Sequence, residues 1–341
     1  MTATTQLQTP PAHVGMFQLL QGAFITGAIS CIAQLRIPDL VEAGPKSAKE
    51  LAAEIGADAD ALYRLMRATA SVGVLSEGSD GKFSQTPLSS VLRSTATPSL
   101  RAFAAMHGRE WHEMGWSNLE YCVRTGKQAL DKVYGKSIFE FFQANPGEAA
   151  IFNQAMTDLS ALAGPAVVDA YSFEGLHSIV DVGGGHGLLL ANILARNPLL
   201  RGTVYDIERV IEGSKVGPLK LMADRCKFES GDMFSSVPVG ADAYIMKHII
   251  HDWPDDLCVK ILKACRKGVN AGGKLLVVDS VIQPGNEFAP GKFLDLQMLI
   301  FPGGRERTEN EFRELFAAAG WRLSRIVPLP VPESILEGVP A

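Results

Sequence analysis

Cysteine is scarce in this chain: five among 341 residues, at positions 31, 122, 226, 258 and 265, with no CxxC pair. An odd count without paired spacing argues against a disulfide framework or a zinc site, and makes a reducing, cytoplasmic compartment the expectation. An excess of positive charge is also missing. The formal net charge is −5, which gives no general pull toward nucleic acid or anionic lipid. Repeats and low-complexity stretches are absent. Charge is lacking over one long run, residues 14–35, VGMFQLLQGAFITGAISCIAQL. No lysine or arginine precedes it, and Gln18, Gln21, Thr26, Ser30 and Gln34 interrupt it, so a signal peptide or membrane span is disfavoured. Too apolar for a solvent-facing helix, it reads as a helix buried between subunits.

What remains is ordinary globular material, 47% hydrophobic and 20% charged, long enough for a full core and two domains. Residues 1–12 form a polar tail ending in Pro10-Pro11. In SAKELAAEIG, Ser47 and Glu50 have capping-box spacing and Gly56 stops the helix. Asp58 caps a second helix that ends near Gly73, and VLSEGSDGKFSQT predicts a hairpin turning at Asp80-Gly81. Two helices and a hairpin make a winged-helix-like unit, which raises a DNA-binding regulator. Between Lys46 and Arg93, however, six basic residues meet six acidic ones. A groove reader needs a basic patch, so a structural or dimerisation module is the better reading. Residues 98–171 are mostly helical. From Phe173 short apolar runs alternate with helix-like stretches: HSIVDVG, GTVYDI, CKFESGD, ADAYIMK, GKLLVVDSV and WRLSRIVPL. That alternation predicts a doubly wound α/β sheet.

SIVDVGGGHGLLLANIL predicts a strand, a glycine turn and a helix. Its glycines let backbone approach a ligand closely. Asp206 ends the next strand, twenty-one residues beyond Gly185, where an acid usually meets ribose hydroxyls. The run G-G-G-H-G lacks the final glycine of a pyrophosphate binder, since Leu188 stands there, and G-x-x-x-x-G-K-[ST] is absent. A nucleoside without pyrophosphate fits, and S-adenosylmethionine (SAM) is the candidate, with Asp181 meeting its ammonium. The third strand ends in Gly231-Asp232-Met233-Phe234, an acid and a thioether suited to an adenine edge and face; plain packing is the competing reading for Met233.

MKHIIHDWPDD, at 246–256, follows the fourth strand. Carboxyl ends of strands form the ligand crevice of such sheets, so Lys247 is expected toward the cofactor and His251 above it. His248 and His251 are spaced i, i+3, but no further His or Cys follows at ligand spacing, so no metal is expected and His248 reads as packed or solvent-facing. His251, beside Asp252 and Trp253, titrates near neutrality and can accept a proton from a hydroxyl. In PGGRERTENEF, Thr308 and Glu311 form a capping box, leaving Glu306 free in the loop before the helix to orient that imidazole.

Taken in order, the helix–helix–hairpin module, FNQAM, DVGGGHG, YDIERVI, GDMF, KHIIHDWPDD and GGRERTENEF resemble the bacterial form of the SAM-dependent O-methyltransferases with an N-terminal dimerisation domain, the caffeic-acid and hydroxyindole type. The resemblance implies a class I, Rossmann-like methyltransferase sheet behind an all-helical or winged-helix-like dimerisation domain, with 1–97 as that domain, 98–171 as helical linker and pocket, and 172–341 as catalytic domain. It implies a homodimer with no nucleic-acid or membrane partner, and transfer to a small aromatic hydroxyl. Gly183, Gly185, Asp206, Asp232, Met233 and Lys247 would hold the donor. His251 would be the base, with Asp252 beside it and Glu306 positioning it. The second positioning acid, usually glutamate, is here Asp279, one methylene shorter. Phe152, Met156, Met298 and Phe301 would line the acceptor pocket, with Trp111, His112 and Trp116 as further candidates and the partner subunit's N-terminus completing it. N- or C-methyl transfer, or a relative that binds SAM without transfer, is the alternative on the same fold.

Overall fold

The computed structural model describes residues 11–215 and 217–341; the polar tail expected at the start lies almost wholly outside them. The chain divides into two compact units, one ending at His112 and the other running Glu113–Ala341. The division falls later than position 97, because the helix Arg101–His107 packs with the helix Gly22–Gln34.

In the first unit the local signals act as expected. Ser47 and Glu50 close a capping box on the helix Ala48–Ile55, and Gly56 ends it at φ 71°. The Asp58 carboxylate accepts from Ala61 N–H to start Ala59–Ser71. These helices bury Leu51, Leu62 and Met66 against Phe83 and Ile32. The unit is not all-helical. β1 (Lys46–Ser47), β2 (Leu75–Glu77) and β3 (Lys82–Gln85) form a small antiparallel sheet in the order β1-β3-β2. The sequence pattern missed β1 because two residues carry no periodicity.

The helix Ala12–Leu20 continues through Gln21 into Gly22–Gln34, and this run of 23 residues is the one helical run among the described residues long and apolar enough to cross a membrane. In the single chain Leu19 and Phe24 are each 76% exposed.

The second unit is built on a sheet of β4 (Ser178–Val182), β5 (Arg201–Asp206), β6 (Cys226–Ser230), β7 (Ala241–Lys247), β8 (Val269–Ile282), β10 (Trp321–Pro328) and β11 (Glu333–Pro340). A two-residue strand, β9 (Arg307–Thr308), pairs on the end of β8. The order is β10-β11-β8-β7-β4-β5-β6. β4 to β8 run parallel, and β11 is antiparallel to both β8 and β10. β11 was not legible in advance, since ESILEGVP follows a proline-rich turn and carries two glutamates.

Side chains alternate across the sheet. Tyr244 and Met246 pack on one face with the helices Asp255–Gly268 and Glu309–Ala318, whereas Ala243 and Ile245 pack on the other with Leu188–Arg196. Both faces are buried, which is why these strands read as near-continuous apolar runs. The strand order changes direction between β4 and β7, so the crevice opens at their carboxyl ends.

Candidate active site

Four strand ends deliver the donor-side candidates. β4 ends beside Asp181, which is 2% exposed and whose Oδ2 has no hydrogen-bond partner. Burial pushes its carboxyl up to about 7, against the pull of Lys247. The glycine turn follows. Gly183 takes φ 68°, and a Cβ there would meet Ile249 Cδ1 at 2.3 Å, so this glycine serves a close internal approach. Gly185 faces open space, and its N–H donates to Asp206 Oδ2 at 2.9 Å. The other oxygen of Asp206 accepts from Ile207 N–H at 2.7 Å. Asp206 therefore ties β5 to the loop directly.

Asp232 is engaged by its own turn, accepting from Phe234 N–H at 3.0 Å and the Ser235 hydroxyl at 2.6 Å. Met233 and Phe234 pack against the core beside Ile249 and Trp253. Trp253 lies stacked on Phe139 at 5.3 Å and edge-on to Phe234 at 4.8 Å. Its indole Nε1 is buried without a hydrogen-bond partner.

β7 ends at Lys247, and the chain then turns through His248 into a short 3₁₀ segment, Ile250–Asp252. His251 is 6% exposed and Glu306 2%. His251 Nδ1 lies 2.7 Å from Glu306 Oε1. The N–H at Nδ1 donates to that carboxylate, which leaves Nε2 as the nitrogen able to accept a proton. Asp252 Oδ1 stands 3.6 Å from Nε2. Burial works against an imidazolium here, but the Glu306 hydrogen bond and the charges of Asp279 and Asp252 outweigh it and raise His251 to about 9. Asp252 is pushed up to about 6, first by enclosure; its side chain keeps 27% of its surface exposed, so solvent softens that rise.

Asp279, on β8, does not bond the His251 ring. Its Oδ1 accepts from His248 N–H at 3.0 Å. Its Oδ2 is buried without a partner, and burial raises its carboxyl. The missing methylene thus turns an expected base-orienting acid into a clamp on the backbone preceding His251.

The loop holding His251 is fastened by residues the sequence reading passed over. Arg307 is 1% exposed. Its guanidinium donates to the carbonyls of Ile250 and Trp253, each at 3.0 Å, and to Asp255 Oδ1 at 2.7 Å and 3.0 Å. Arg305 N–H donates to the His251 carbonyl at 2.9 Å. Asp295 Oδ1 accepts from Glu306 N–H at 2.8 Å. Glu306 is therefore held at both backbone and side chain. RERT shows charge alternation but no local sign that its second arginine points inward.

Of the acceptor candidates, Phe152 and Met156 lie on the helix Pro146–Ala170, Phe152 stacked on Phe142 at 4.7 Å. Met298 and Phe301 lie at the end of Pro290–Ile300, 7% and 5% exposed, directly before the Glu306 loop. Among the described residues no three His, Cys, Asp or Glu side chains gather as a metal cage. A cavity of about 320 Å³ lies elsewhere, lined by Ser178, Arg201, Cys226 and Ala241 at the amino ends of their strands, remote from the imidazole.

Residues 116–322 match the model of the O-methyltransferase domain, and residues 17–95 that of the O-methyltransferase dimerisation domain. The chain belongs to the O-methyltransferase family. Its sequence is 38% identical, over the whole of both chains, to a phenazine O-methyltransferase of Lysobacter antibioticus. Among solved structures it is similar to an O-methyltransferase from neocarzinostatin biosynthesis in complex with S-adenosylhomocysteine and 1,4-dihydroxy-2-naphthoic acid, at TM-score 0.81 and 31% identity, covering 97% of this chain and 100% of that one. It also resembles an N,N-8-amino-8-demethyl-D-riboflavin dimethyltransferase of Streptomyces davawensis, at TM-score 0.81 and 27% identity, covering 97% and 100%. The sheet is the class I methyltransferase fold, and the O-methyltransferase is a SAM-dependent enzyme.

Two outcomes follow for this O-methyltransferase from the charges at its site. With Asp181 raised from 3.8 to about 7, its ionisation opposes folding: stability falls as pH rises through that window and stays lower above it. Asp181→Asn should therefore raise Tm at pH 8 by a few degrees, read by thermal unfolding; an unchanged or lower Tm would contradict the cost assigned to that buried carboxyl. Second, with His251 serving as the base, kcat/KM should climb through an acidic limb above the ordinary histidine value, toward about 9. Glu306→Gln should move that limb to lower pH and reduce the plateau. A limb already at 6.5 in the unaltered enzyme would remove the role given to Glu306.

Proposed function

We propose that this enzyme methylates a hydroxyl of a small, flat aromatic acceptor, with His251 as general base and no metal in the proton transfer. The observation that carries the reading is the 2.7 Å pair of buried His251 and Glu306, which fixes the ring with Nε2 as the accepting nitrogen. When bound, SAM supplies a sulfonium methyl as electrophile. Asp206 would accept from its ribose, Asp181 would meet its ammonium, Asp232 and Met233 would flank its adenine, and Gly183, Gly185 and Lys247 would border it. The unpartnered Oδ2 of Asp181 and the open space over Gly185 suit that occupant. His251 takes the acceptor's proton as the oxygen becomes a nucleophile. A phenol has a pKa near 10, and general-base help is worth roughly a hundredfold to ten-thousandfold. Glu306 stabilises the imidazolium that results. Phe152, Met156, Met298 and Phe301 would line the acceptor side, where thioethers accommodate differing rings.

A panel of phenols, naphthols, hydroxyphenazines and matched aromatic amines with radiolabelled SAM tests this. Label on hydroxylated rings is expected. Label on amines alone would favour the second reading, N-transfer, to which the likeness to the riboflavin-analogue dimethyltransferase points; His251→Ala would then barely change turnover, because an amine needs less base help.

The enzyme is read as a homodimer. Support comes from the dimerisation-domain match over 17–95 and from Met16, Phe17, Leu19, Leu20 and Phe24, apolar and exposed in the single chain. Light scattering should give twice the chain mass, and Leu20→Glu with Phe24→Glu should lower it toward one chain. A monomeric mass for the unaltered protein would contradict the dimer.

A further inference from the structure

His248, which from the sequence reads as packed or solvent-facing, is one of two non-glycine residues with left-handed φ among those described, at 55°. Such a backbone is strained for a residue with a side chain and persists where surroundings impose it. Here its N–H is held by Asp279 Oδ1 at 3.0 Å and the Val278 carbonyl at 3.2 Å. The turn lays the ring of His248 parallel to that of His251, 4.9 Å between centroids and 17° between planes. Each edge of that ring is engaged. Nε2 lies 2.9 Å from Glu333 Oε1, and Nδ1 lies 3.1 Å from Lys247 Nζ.

Burial lowers the Lys247 amine, and the carboxylates around it oppose that loss; as an ammonium it can only donate, so Nδ1 then offers its lone pair and Nε2 carries the proton that goes to Glu333. The ring is thereby fixed as one neutral tautomer. Burial and the Lys247 charge both hold His248 well below its ordinary value, which agrees. The fold explains how Glu333 arrives. β11 is antiparallel to β8, so its first residue, paired with Ser280, lies beside the carboxyl end of β8 where the crevice opens.

We propose that Glu333 and His248 form a positioning pair that seats the base ring of His251 and the Lys247 ammonium together. The inference rests on the reading of His251 as base and Lys247 as donor-side cation. A neutral ring can stay stacked on His251 while that imidazole gains its proton; a second cation at this distance would repel it. Burial lowers the Lys247 amine first, and the charges of Glu333 on β11, Asp279 on β8, Asp181 on β4 and Asp252 beside His251 oppose it. Through His248 the carboxylate of β11 therefore reaches both halves of the reaction.

Glu333→Gln keeps the shape and removes the charge. Its kcat should fall about tenfold to a hundredfold, as for a small misplacement of a reacting group, with acceptor KM nearly unchanged. Loss of SAM affinity at alkaline pH, read by equilibrium dialysis, should begin at lower pH, because Lys247 sheds its proton earlier without Glu333. Glu333→Asp, which keeps the charge, should restore that pH profile in part. Wild-type kcat and SAM affinity at every pH in Glu333→Gln would overturn the proposal. A measurement on the unaltered enzyme needs no variant to fold: nitrogen NMR of the histidines should show His248 neutral at pH 7 with its proton on Nε2, and an imidazolium or an Nδ1–H ring would overturn it equally. If His251→Ala keeps full activity toward hydroxyls, the base assignment fails instead, while the tautomer of His248 is unaffected.

Discussion

His251→Ala should lower kcat toward a hydroxylated aromatic by roughly a hundredfold to ten-thousandfold and leave SAM affinity within a few-fold of the parent. The magnitude follows from the task. On the proposed mechanism the acceptor hydroxyl loses its proton during attack, and Nε2 of His251 is the nitrogen whose partner nitrogen is already committed to Glu306 at 2.7 Å. Deletion also leaves a 2% exposed carboxyl without its partner, which destabilises the fold on its own account. The double variant His251→Ala with Glu306→Gln separates the two effects. Residues acting as a unit are non-additive in kinetics, so the double variant should turn over no slower than the single one while regaining Tm. A further drop in the double variant would mean that Glu306 acts independently of the base.

Gly304→Ala should be nearly as damaging, although glycine carries no chemistry. A Cβ at this position would stand 2.0 Å from the His251 carbonyl oxygen and 2.4 Å from the Asp252 carbonyl carbon. Those atoms are backbone and cannot rotate aside. The loop of His251 must shift, or the 303–307 segment must withdraw and take Glu306 with it. A displacement near 1 Å at the reacting group costs on the order of a hundredfold. The expected result is a kcat lower by about that factor, with acceptor KM little changed and a Tm reduced by a few degrees. A variant of parental activity would show that the two segments are not held in this register.

Much of this site was legible because its parts announce themselves locally. Capping boxes at Ser47 and Thr308 sit where S-x-x-E and T-x-x-E placed them. The apolar runs from Ser178 onward became strands β4 to β8 because parallel strands are buried on both faces. Since strand ends define the crevice, Asp181, Asp206, Lys247 and His251 could be placed from sequence. What was not legible depends on long-range packing. β11 lacks an alternating pattern, so Glu333 could not be assigned to the crevice. Arg307 looked like one of several surface charges until its guanidinium proved to bind the carbonyls of Ile250 and Trp253. Asp279 occupied the position of a base-orienting acid, yet its shorter side chain meets the backbone of His248. A one-methylene difference decides between those partners, and no local pattern encodes it.

The most direct measurement is a crystal structure of the enzyme with S-adenosylhomocysteine and a hydroxylated aromatic that it methylates. The account places the acceptor oxygen within about 2.6–3.2 Å of His251 Nε2, with Glu306 still on Nδ1. An acceptor oxygen bound beyond reach of that nitrogen, or an imidazole rotated to face solvent, would contradict it.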